Sequence, residues 1–158
     1  MLAMPETTIG LIPDVGGTYL LARAQGRLGV YLGLTGARMG GSDAIQAGFA
    51  DTYVSRANTA ALVDALTRAS SDTAEEVIES FAEPVPQSPL AAKRELIDRL
   101  FNGSDIPTIA ANLLTTTDEL AQKTVAEFSV RSPKALALAL EAIARAKSYK
   151  SLREALMV

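Results

Sequence analysis

"MPETTIGLIPDVGGTYLLAR", residues 4–23, places two carboxylates, Glu6 and Asp14, on either side of a Gly-Leu-Ile-Pro turn. Acidic side chains in an apolar stretch are costly to bury unless they are paired, hydrogen-bonded or used chemically. The residues alone admit two readings. In one, the turn folds the chain back and lets the two acids approach, which a straight strand of that length would not. In the other, Asp14 is an N-cap for the helix that begins after Val15-Gly16-Gly17, and Glu6 is a solvated turn residue. Gly16-Gly17 lacks the glycine spacing and the Lys-Ser/Thr context of a phosphate loop, so tight helix packing is the plainer use of those glycines.

Outward from this stretch the pattern is helical. Two short helices are predicted over residues 18–24 and 27–34, stopped by Gly26 and Gly36. A third lies in "GGSDAIQAG" (40–48), with Ser42 as its cap and Gly48 at its end. "FADTYV" (49–54) is the best strand candidate. Leu62, Leu66 and Ala69 then share a helical face, and Thr73/Glu76 fits a capping box before Val77 and Ile78. "AEPVPQSP" (82–89) divides a first part, residues 1–83, from a helical second part, residues 84–158. Ser88-Pro89 and Ser132-Pro133 each read as an N-cap followed by proline at the first helical position. Thr116/Glu119 precedes a helix carrying Ala121, Val125 and Phe128, and Ser151/Glu154 opens a last one. The expected class is mainly α, with one or two short strands.

Composition narrows the chemistry. The chain has no His and no Cys, which removes a Ser-His-Asp triad, a thiolate nucleophile and the usual zinc ligands from these 158 residues. Acid–base work falls to Asp, Glu, Lys or Tyr. A net charge of −3 without a Lys/Arg cluster argues against nucleic acid as a partner. No apolar run reaches the length of a membrane span, and no basic leader precedes an apolar stretch, so a cytoplasmic setting is expected. No metal site is expected.

Three stretches together resemble the enoyl-CoA hydratase/isomerase (crotonase) superfamily. They are "AMPETTIGLIPDVGGTYLLAR", "LGLTGARMGGSDAIQAGFADTYV" and the helical tail. Within it the nearest likeness is to the 3-hydroxyisobutyryl-CoA hydrolase branch, marked by Met4-Pro5-Glu6-Thr7, by Pro13-Asp14-Val15-Gly16-Gly17 and by helical sequence over roughly residues 56–131 before the second Ser-Pro.

The resemblance implies that Glu6 is the catalytic carboxylate and Asp14 its partner, with Gly10, Pro13, Gly16 and Gly17 shaping the substrate site. It implies an acyl-CoA thioester substrate, with coenzyme A entering as part of that substrate and no separate cofactor. It also implies that a sheet and oxyanion hole lie upstream of the Pro-Glu motif. Both ends of the chain look cut, so it reads as the C-terminal half of such an enzyme, with little activity alone.

Two other readings compete. One is a hydratase or isomerase portion, against which Asp14 argues. The other is a helical binding module without chemistry. Arg23, Arg27 and Arg38 are candidates to meet coenzyme A phosphates, though a solvated face is the simpler use of each. Leu11, Ile12, Leu20, Leu21 and the 49–54 strand are expected to lack internal partners and to drive self-association.

Overall fold

Ala135, Leu136, Ala139, Leu140, Ile143 and Ala146 recur at three- and four-residue intervals, and all six are buried on the longest helix, α10 (Pro133–Ala146). In the computed structural model, which describes residues 1–157, α10 packs on α1 (Gly17–Arg23) and α2 (Leu28–Thr35), and these three helices centre the core. Gly29 sets how closely two of them approach. A Cβ there would collide with the Leu21 carbonyl, so α1 and α2 can touch backbone to backbone only because this residue has no side chain.

Around that centre run α7 (Arg94–Leu100), α8 (Ile106–Leu113) and α9 (Glu119–Val130). They contribute Ile97, Leu100, Ile109, Leu113 and Leu120, and Phe101 follows directly after α7. Tyr31 meets Phe101 edge to face, with centroids 5.2 Å apart. The remaining helices are shorter or peripheral: α3 (Gly41–Gln46), α4 (Thr59–Arg68), α5 (Ala74–Ser80), α6 (Pro89–Ala92) and α11 (Leu152–Ala155). Neither α4 nor α5 has a fully buried residue.

The expected class, mainly α, holds. Both Ser-Pro starts form as predicted: Ser88 Oγ accepts from the Ala91 amide and Ser132 Oγ from the Ala135 amide. Several local expectations are corrected. Residues 49–54 form no strand. The only β pairing among the described residues is a bridge between Leu2 and Met39, and within 49–54 the Tyr53 carbonyl bonds instead to the Glu83 amide. An alternating segment without a neighbouring strand has nothing to complete its ladder.

Ser42 does not cap α3. Gly40 holds the cap position, and the Asp43 carboxylate reaches back to its amide at 3.2 Å. Thr73 makes no cap bond to α5, and Asp118 rather than Thr116 caps α9, accepting from Leu120. Helix α8, capped by Asp105 with a proline in its first turn, was not anticipated. Leu21, expected to lack an internal partner, is buried in the core.

Candidate active site

Pro5 begins a tight turn. The Thr8 amide donates to the Pro5 carbonyl at 2.9 Å, and residues Glu6–Ile9 form a single 3₁₀ turn. It ends at Gly10, in the left-handed region at φ 80°, where the Leu11 amide bonds to the Glu6 carbonyl at 3.0 Å. Glu6 is half-buried. Its Oε2 is fully enclosed yet has no hydrogen-bond partner, and it is the only such side-chain atom among the described residues. A buried carboxylate oxygen left unpaired is expensive, and native structures rarely carry one without a reason.

Next in the chain, Asp14 to Gly17 closes a second turn through a 2.7 Å bond from the Gly17 amide to the Asp14 carbonyl. Both central residues have positive φ, 48° at Val15 and 79° at Gly16, which is the pattern of a type I′ turn. Val15 is a β-branched residue in the left-handed region, an uncommon and strained placement. Asp14 does not cap α1: the cap residue is Gly16, and no side chain satisfies it.

Instead, the exposed Asp14 lines a groove of about 440 Å³ with Pro13, Gly16, Glu141, Arg145 and Tyr149. Leu152 of α11 roofs Gly16 so tightly that a Cβ there would stand 2.5 Å from its Cδ1. Gly17 is buried against Met4, and Gly10 lies near Ser132 at the surface. Glu6 is not among the residues that line this groove.

Thr7, directly after Glu6, is fully buried. Its hydroxyl donates to the Leu34 carbonyl at 3.1 Å and accepts from Arg131 Nη1 at 3.0 Å. The same guanidinium donates to the Leu34 carbonyl, to the Thr35 carbonyl at 2.7 Å and to Glu127 at 3.2 Å. Its side chain is only 6% exposed. Sequence reasoning missed this cluster, because nothing in the local pattern connects residue 131 to residue 7.

A second groove of about 660 Å³ is lined by Pro5, Thr8, Tyr31, Arg38, Lys93, Lys123 and Arg131, among others. Burial, and then the Glu127 charge, push the Tyr31 hydroxyl above its ordinary value, which keeps it protonated in this setting. The other two arginines considered for phosphate are engaged structurally. Arg23 stacks on Tyr19 and donates to the Tyr149 carbonyl, and Arg27 donates to the Phe101 and Gly103 carbonyls.

The helical fold agrees with comparison to known proteins. The chain belongs to the enoyl-CoA hydratase/isomerase family, whose model matches residues 1–158. Among curated relatives, the mitochondrial 3-hydroxyisobutyryl-CoA hydrolase of Xenopus laevis is 36% identical over 99% of this chain, and the human protein of that name is 33% identical over the same share. In each case the chain spans 42% of the relative's length.

Two solved structures share the fold. A carnitinyl-CoA dehydratase from Mycobacterium thermoresistibile has a TM-score of 0.89 and 41% identity, covering 98% of this chain and 44% of that one. An enoyl-CoA hydratase from Rhodobacter sphaeroides has a TM-score of 0.85 and 45% identity, covering 98% and 43%. The expected cytoplasmic setting is corrected here, because the vertebrate relatives are named as mitochondrial. The lack of a membrane-length apolar run and of a basic leader within these residues, on which that expectation leaned, does not report a compartment.

Proposed function

We propose that this chain supplies the catalytic carboxylates of a short-chain acyl-CoA thioester hydrolase acting on 3-hydroxyisobutyryl-CoA or a close analogue, a step of valine breakdown. The observation that carries the reading is the enclosed, partnerless Oε2 of Glu6. A buried carboxylate oxygen without an internal partner is free to accept a hydrogen bond from a group that the free protein does not supply.

In the reaction, the carboxylate either attacks the thioester carbonyl or removes a proton from the water that does. The C–S bond then breaks, and the departing coenzyme A thiolate takes up the proton that water gave to the carboxylate; where the carboxylate itself attacked, water hydrolyses the resulting mixed anhydride, which frees Glu6 and supplies that proton. Asp14, exposed on the edge of its groove, is suited to orient the substrate hydroxyl or the water. The names of the curated relatives support hydrolysis.

Likeness to a carnitinyl-CoA dehydratase and an enoyl-CoA hydratase favours a second reading, addition or removal of water at an enoyl-CoA double bond. Assaying the enzyme that carries this chain with both a hydroxyacyl-CoA and an enoyl-CoA separates the two. In that enzyme Glu6→Gln keeps the shape and removes the base, so turnover should fall at least about a hundredfold, while Asp14→Asn costs less. A Glu6→Gln enzyme with most of its thioesterase rate would overturn the assignment. The 158-residue chain by itself is expected to turn over slowly or not at all, because losing each oxyanion donor costs roughly a hundred- to a thousandfold.

A further inference from the structure

Glu6 has no side-chain partner to aim it. No hydrogen bond holds the enclosed Oε2, so the carboxylate takes its place from the backbone of its 3₁₀ turn and the packing around the side chain. Upstream, that backbone is tied at the Leu2–Met39 bridge. Downstream, the nearest buried anchor is the Thr7 hydroxyl, the residue immediately after Glu6.

Thr7 docks on the last turn of α2, where the Leu34 and Thr35 carbonyls have no partner within their own helix and carry the negative end of its dipole. Arg131, 124 residues away in sequence, completes this joint. One guanidinium serves the Thr7 hydroxyl and both carbonyls at once, and Glu127 balances its charge. A lysine ammonium has no planar fork and cannot hold the three acceptors in one fixed geometry.

We propose that Arg131 is a positioning residue for Glu6. By clamping Thr7 to the end of α2, it fixes the turn that aims the carboxylate. The inference rests on the proposed reading of Glu6, and its test separates the two.

Three variants are compared: Arg131→Met, Arg131→Lys and Thr7→Val, the last breaking the same joint from its other side without removing the arginine. Amide exchange on this chain is read first. The Leu11 amide, which bonds to the Glu6 carbonyl, should exchange about tenfold faster in Arg131→Met and Thr7→Val, while amides of α10 keep their protection. This readout does not depend on any activity.

Turnover is read next, in the enzyme that carries the chain. kcat should fall about tenfold in Arg131→Met and in Thr7→Val, with KM within twofold and partial recovery in Arg131→Lys. The double variant should be no worse than the poorer single one, because both break one joint. Unchanged Leu11 exchange, unchanged kcat in a folded but less stable variant, or multiplicative effects in the double variant would each overturn the proposal. If Arg131→Met does not fold, Thr7→Val and Arg131→Lys decide by the same criteria. Should Glu6→Gln keep its turnover, the functional reading fails, while the exchange result still judges the clamp.

Discussion

At the scale of single residues the site is built from exceptions. Glu6 carries an unpaired buried oxygen, and Val15 sits at φ 48° although 85% of it is exposed. Asn tolerates the left-handed region far better than a β-branched residue, and so little of Val15 is buried that replacing it sacrifices almost no packing. Val15→Asn should therefore stabilise the chain by about 1 kcal/mol, the scale of left-handed strain for one L-residue. In thermal unfolding that corresponds to a rise of about 2–4 °C, and a fall instead would show that Val15 is held by contacts the turn needs. The sequence showed where the acids and glycines lay, because Met-Pro-Glu-Thr and Pro-Asp-Val-Gly-Gly are local. It could not show that Asp14 leaves α1 uncapped, since an acid before a helix is compatible with a cap whether or not the backbone curls away through a type I′ turn.

Between elements, polar side chains make the joints. Asp43 of α3 accepts from the Ser88 hydroxyl at 2.7 Å and the Leu90 amide at 3.1 Å, and so fastens α3 to the start of α6. Ser88 thus has two duties, as cap of α6 and as donor to a buried carboxylate. Ser88→Ala removes both and should cost about 1–2 kcal/mol, read as a lower urea midpoint at unchanged slope. A loss no larger than a few tenths would mean that the Leu90 and Gly40 amides already satisfy Asp43. Helix starts marked by Ser-Pro were legible because the signal is chemical and adjacent. Helix α8 was not, since "DIPTIAANL" offers a single proline and a short apolar run, and its stability comes from Ile109 and Leu113 entering a core assembled by distant helices.

For the whole molecule, the core closes through α1, α2 and α10, but the surface around the Glu6 and Asp14 turns does not. Ile9, Leu11, Val15 and Leu20 are exposed on or beside the two turns, while Leu21 from the same stretch is buried. Exposed apolar side chains gathered in one stretch favour association. We expect the 158-residue chain to self-associate, most simply as a two-fold dimer through this face. Sedimentation should show a dimer that Ile9→Glu/Leu11→Glu returns to monomer; a native chain that stays monomeric at high concentration would remove the idea. The overall helical class was readable from the period of apolar residues, which α10 keeps for four turns. The long-range joints were not, because nothing in a linear pattern pairs residue 131 with residue 7 or residue 152 with residue 16.

That last pairing has a consequence in time. Leu152 roofs Gly16 from 136 positions further along the chain, and Arg23 reaches the Ala146 and Tyr149 carbonyls over a similar span. Synthesis proceeds at about 5–20 residues per second, so the Asp14 turn emerges roughly 7–27 s before the helix that covers it. Throughout that interval the turn at Gly16 stands without its roof. The groove exists only once almost the last of these residues has been made.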